Sequence, residues 1–72
     1  VRRMIVKIQR SLFSSAGGGA MLIYNQDRSV MLQRPLTAQV NALLGGAPKG
    51  YFHVKIKGGS LKILSRAPDQ SW

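Results

Sequence analysis

Only one stretch of this chain spaces its apolar residues as a helix does. Leu36, Val40, Leu43 and Leu44 fall at i, i+4, i+7 and i+8, a single stripe on a 3.6-residue repeat. Thr37 can cap the first turn, Gly45-Gly46 supplies a stop, and Pro48 opposes continuation. A helix of about two turns does not persist alone in water, so this one forms only by packing. Its stripe is therefore a core stripe, and the other regular segments have a period of two.

In the segment Met4 to Leu12, Met4, Val6 and Ile8 point one way, and Lys7, Gln9 and Ser11 the other. Ser14 to Gly19 ends in three consecutive glycines and reads as a flexible connector. No Gly-Lys-Ser/Thr and helix follow, so it is not a P-loop. Met21–Tyr24 and Ser29–Gln33 flank a turn at Asn25–Arg28 and predict a hairpin. With Gln26-Asp27 as its loop, Ile23 faces Val30 and Met21 faces Leu32. Leu22, Tyr24 and Met31 then share the opposite side, so both sides are largely apolar. Tyr51–Lys57, the turn Gly58-Gly59 and Ser60–Leu64 predict a second hairpin. Counting from that turn pairs Ile56 with Leu61 and Val54 with Ile63 inward, and Lys55 with Lys62 outward.

The expected fold is α+β and mainly β: five short antiparallel strands in the order β-β-β-α-β-β, with one short helix. They form a curled sheet or a small OB/SH3-like barrel. Residues 1–72 make a single domain, because a chain of this length has room for one core only. Residues 1–3 are expected as a disordered extension ahead of a start at Met4. Residues 65–72 are expected as an irregular tail whose Trp72 either docks on the core or stays free.

With no cysteine, the chain has neither disulfides nor thiolate metal sites to support so small a core. It must stand on packing or on association. No apolar run reaches the roughly 20 residues of a membrane span. Lys7 and Gln9-Arg10 interrupt any apolar run after Arg2-Arg3, so no secretion signal is read and a cytoplasmic location is expected.

Chemistry is limited by what is missing. The chain has one histidine, His53, no Cys and no Glu, and its only carboxylate side chains are Asp27 and Asp69. Paired-carboxylate, Cys-His and His-rich metal sites all need residues that this chain lacks. The expectation is a binding module and no enzyme, with no metal, no cofactor and no small-molecule substrate. Against two acidic residues stand eleven Lys and Arg, a formal charge of +9. Such a field attracts polyanions and speeds their association.

Lys55 and Lys62 face each other on one predicted sheet face, and like charges so placed repel. Lys57 shares that face, and Lys7 joins it if the first strand is a neighbour. Tyr51 and His53 lie on the same side. Cations beside an aromatic and an imidazole suit phosphate contact with base stacking. Lys7, Lys55, Lys57, Lys62, Tyr51 and His53 are therefore the candidate DNA- or RNA-binding residues. No recognition helix or zinc finger is present, so such binding would follow the nucleic-acid backbone and be weakly sequence-specific. A second reading makes these edge lysines that discourage aggregation. The chain is then a protein-interaction or structural module, a homodimer using Leu22, Tyr24 and Met31.

Val6–Gln9, Tyr24–Val30 and Lys49–Lys55 together resemble a group of short, uncharacterised proteobacterial proteins. That group is associated with plasmid, phage and genomic-island gene neighbourhoods. The resemblance implies a bacterial, cytoplasmic, mobile-element setting and carries no activity or site residues.

Overall fold

Among the described residues, strand alternation and the helical stripe resolve into one sheet and one helix. A computed structural model describes residues 2–11 and 19–72. It holds β1 (Arg2–Arg10), β2 (Ala20–Tyr24), β3 (Val30–Pro35), α1 (Ala38–Leu44), β4 (Lys49–Lys57) and β5 (Ser60–Ala67). All pairings are antiparallel, and the strand order is β3-β2-β1-β4-β5. The expected connector at 14–19 lies, except for Gly19, outside the described residues.

The fold is a mixed α+β curled half-barrel with α1 on its inner face. Val6 and Ile8 of β1, Met21 and Ile23 of β2, and Phe52 and Val54 of β4 form one buried cluster with Val40 and Leu44 of α1. Period two in the strands and period 3.6 in the helix thus meet in the same core. Seven of these side chains, all but Met21, are fully buried, and at about 1.5–3 kcal/mol each they provide the main driving force.

The ends of α1 are built as its sequence predicts. Thr37 is extended, and its Oγ1 accepts from the Val40 amide at 3.2 Å. Gly45 closes the helix in the left-handed region at φ 59°, returning its N–H to the Asn41 carbonyl. Arg10 from β1 donates to Asn41 Oδ1, and Arg66 from β5 donates to the Leu43 carbonyl at 2.9 Å. Thr37→Ala should cost about 1 kcal/mol, measured as a lowered urea midpoint at constant slope.

Gly50 sets how closely the helix lies on β4. A Cβ there would stand 3.2 Å from Leu44 Cδ2 and 3.3 Å from both Phe52 Cε1 and Arg66 Nη2. Gly50→Val should therefore destabilise the fold by about 1–3 kcal/mol through overpacking, again read from the unfolding midpoint.

The C-terminal hairpin has the predicted register: Ile56 opposite Leu61, Val54 opposite Ile63, and Lys55 opposite Lys62. The first hairpin does not. Ile23 pairs with Leu32, Met21 with Arg34, and Tyr24 with Val30. Its turn is longer than the two residues expected. The Asn25 amide donates to the Ser29 carbonyl, Arg28 takes φ 71°, and Asp27 Oδ1 accepts from the Ser29 amide at 2.9 Å and from its hydroxyl. These bonds to Ser29 hold the exposed Asp27 carboxyl below its usual pKa. The slip at Ile23 is two residues, so Ile23 and Leu32 keep their predicted face.

Both chain ends also differ from expectation. β1 starts at Arg2, with Arg2 opposite Ile56 and Arg3 opposite Lys55, so these residues are strand and not a loose extension. β5 runs to Ala67, and only residues 68–72 are irregular.

The barrel alternative is not realised. Closing this strand order would require β3 to pair with β5, and the sheet stops at those two edges. A cleft of about 570 Å³ opens between them, lined by Met21, Ile23, Arg34, Leu61, Lys62 and Ile63. Pro35 offers β3 no N–H at its end. Register shifts leave one extra residue in each edge strand, Met31 in β3 and Leu64 in β5. Bulges of this kind bend the sheet and blunt its edges against further pairing.

Candidate nucleic-acid interface

The face turned away from α1 is defined by strand parity. Arg3, Ile5, Lys7 and Gln9 of β1 stand opposite Lys55, His53, Tyr51 and Lys49 of β4 in turn. Lys7 and Gln9 also stand opposite Tyr24 and Leu22 of β2. Lys55 continues to Lys62, His53 to Ser65, and Lys57 to Ser60 of β5. Directly opposed residues share a face. Lys7, Lys49, Lys55, Lys57 and Lys62, every lysine in the chain, therefore lie on the outer face with Arg3. Arg10, Arg34 and Arg66 lie on the helix side.

Three rows cross this face. Arg3, Lys55 and Lys62 form a row of cations. Ile5, exposed His53 and Ser65 form the next. The third runs Tyr24, Lys7, Tyr51, Ala67, with Lys7 Nζ 4.9 Å from the centre of the Tyr24 ring.

The tail completes the third row. Residues 68–72 fold back so that Trp72 meets Tyr51 edge to face, with ring centres 5.2 Å apart and planes at 75°. The Tyr51 hydroxyl donates to the Trp72 carbonyl oxygen. Tyr51 is only 5% exposed as a result. Its expected stacking face is thus occupied by the chain itself. Trp72 docks on the outer face, not on the core.

Beside this contact lies a cleft of about 420 Å³, bordered by Lys7, Lys49 and Arg28 as cations and by Tyr24, Tyr51 and Trp72 as rings. Gln9, Gln70 and Ser71 complete its lining, which includes no carboxylate side chain. The arrangement can hold an anion next to a flat ring.

Of the predicted binding residues, the structure brings Lys7, Tyr51, His53, Lys55 and Lys62 onto one surface, with Lys57 at its end. It does not keep the two predicted surfaces apart. Leu22 and Tyr24 are half-buried on this same outer face, and the Met31 side chain lies outside the described residues. Four contributors were not among the candidate binding residues. Arg3 and Lys49 have the parity of Lys7 and Lys55, so continuing the alternation would have found them. Arg28 comes from the longer turn, and Trp72 comes from a fold-back that no periodicity announces.

Among the described residues, no three His, Cys, Asp or Glu side chains gather as metal ligands. Compared with protein-family models, curated proteins and solved structures, the chain matches none.

Proposed function

We propose that this chain is a small, non-catalytic, nucleic-acid-associated module that binds through its outer sheet face. One observation carries the reading: every lysine lies on that face. Lys55 and Lys62 are held directly opposite each other although their repulsion costs a few tenths of a kcal/mol up to about 1. Solubility alone requires no such concentration of charge. A polyanion does reward it, because each phosphate neutralised releases counterions.

The rival assignment, self-association through Leu22, Tyr24 and Met31, has less support. Leu22 and Tyr24 are half-buried, and the Tyr24 ring lies beneath Lys7.

The test is titration of the chain with single-stranded DNA, RNA and duplex DNA at two salt concentrations. Binding at low salt that weakens steeply at high salt is expected. No binding at low salt would overturn the reading, and salt-independent binding would overturn its electrostatic basis.

A further inference from the structure

The lysine face accounts for attraction to any polyanion. It leaves unexplained why three rings gather at one end of it, or why the tail is held there. A duplex presents phosphates to a sheet face but keeps its bases stacked. Rings become useful only to a strand whose bases are free to leave the stack.

From this we infer that the cleft between Tyr24, Lys7, Tyr51 and the Trp72 segment receives one unstacked nucleotide of a single strand. The inference rests on the nucleic-acid reading above and deepens it. Its size fits: about 420 Å³ lies at the small end of ligand pockets, which run from about 300 to 1,000 Å³. Its chemistry divides in the same way as a nucleotide. Trp72, half-exposed and held edge to face against Tyr51, offers a ring to the base. Lys49 and Arg28, both exposed, offer cations to the phosphate. Lys7, already lying over the Tyr24 ring, can leave it for a phosphate oxygen and uncover a second ring. Gln9, Gln70 and Ser71 supply hydrogen-bonding groups that every base can use, so preference among bases should be slight.

Trp72 is the only tryptophan, so fluorescence reports on its surroundings, this cleft and the one beside Arg3 and Asp27, and the Lys49 and Arg28 variants below tell the two apart. The full chain is titrated with an oligothymidylate of about ten nucleotides, within the usual span of single-strand sites. A duplex of equal length, thymidine monophosphate and inorganic phosphate are run beside it. Saturable quenching of Trp72 by the oligonucleotide is expected, with weaker quenching by the mononucleotide and none by inorganic phosphate. Trp72→Ala and Tyr24→Ala, followed by anisotropy of a labelled strand, should each lower single-strand affinity about ten-fold. The ratio of single-strand to duplex affinity should fall with them. Because Tyr24 is half-buried, the exposed-side variants Lys49→Gln and Arg28→Gln are measured as well and should also weaken single-strand binding. Binding of single strand and duplex alike, with Trp72 unquenched and these variants at full affinity, would overturn the cleft and leave the electrostatic face standing. No binding of any nucleic acid at low salt would overturn both.

Discussion

Phe52→Ala is expected to remove most of the stability of this fold. Phe52 is the largest fully buried side chain among the described residues, and its partner across the β1–β4 ladder is Val6. It belongs to the cluster that joins Ile8 and Val54 to Val40 and Leu44 of α1. Truncating a buried phenylalanine costs about 3–5 kcal/mol, from lost transfer energy and from the cavity left behind. At roughly 0.05–0.15 kcal/mol per residue, a chain of 72 residues has about 4–11 kcal/mol in total. The variant should therefore be largely unfolded at moderate temperature, or should melt without a cooperative transition. Collapse of neighbouring side chains into the space is limited, because Gly50 beneath Leu44 already brings helix and strand to contact distance. Circular dichroism during heating checks this. A cooperative melt within a few degrees of the wild type would show that the core lies elsewhere.

The second large effect runs in opposite directions for stability and binding. Replacing both Lys55 and Lys62 by Gln removes a directly opposed like-charge pair from β4 and β5. Stability should rise by a few tenths of a kcal/mol up to about 1. Affinity for single-stranded nucleic acid should fall. If each lysine neutralises one phosphate, the slope of log K against log salt becomes shallower by about 1.4, which corresponds to roughly 25-fold at 0.1 M salt. The two measurements together separate a binding face from a merely solvated one. A gain in stability with no loss of affinity would assign these lysines to the edge-protection role. A loss of both would mean that their aliphatic stems carry packing that the variant removes.

How much of this was legible in the sequence follows from the range of each interaction. Parity is local, so Met4, Val6 and Ile8 could be set apart from Lys7 and Gln9 without a structure. The Gly58-Gly59 turn fixed its flanking register because a two-residue loop leaves no freedom in the count. Thr37 and Gly45 marked the helix because caps are local chemistry too. The first hairpin slipped because the Asp27–Ser29 hydrogen bonds lengthen the turn, and Asn-Gln-Asp-Arg does not specify a loop length. Bulges at Met31 and Leu64 answer to curvature of the whole sheet, which no single segment encodes. Sheet order placed β1 at the centre between β2 and β4, and this brought Arg3, Lys7, Lys49 and Lys55 together. Trp72 on Tyr51 is a contact between residues far apart in sequence. Alternation says nothing about it.

The most direct test of the central claim is a map of the contact surface. Backbone amide shifts of the isotope-labelled chain can be followed while an oligothymidylate is added at low salt. Perturbations concentrated at Lys7, Tyr24, Lys49, Lys55 and Lys62, with the Trp72 indole among them, are the predicted result. Perturbations centred on Arg10, Arg34 and Arg66, on the helix side of the sheet, would contradict it.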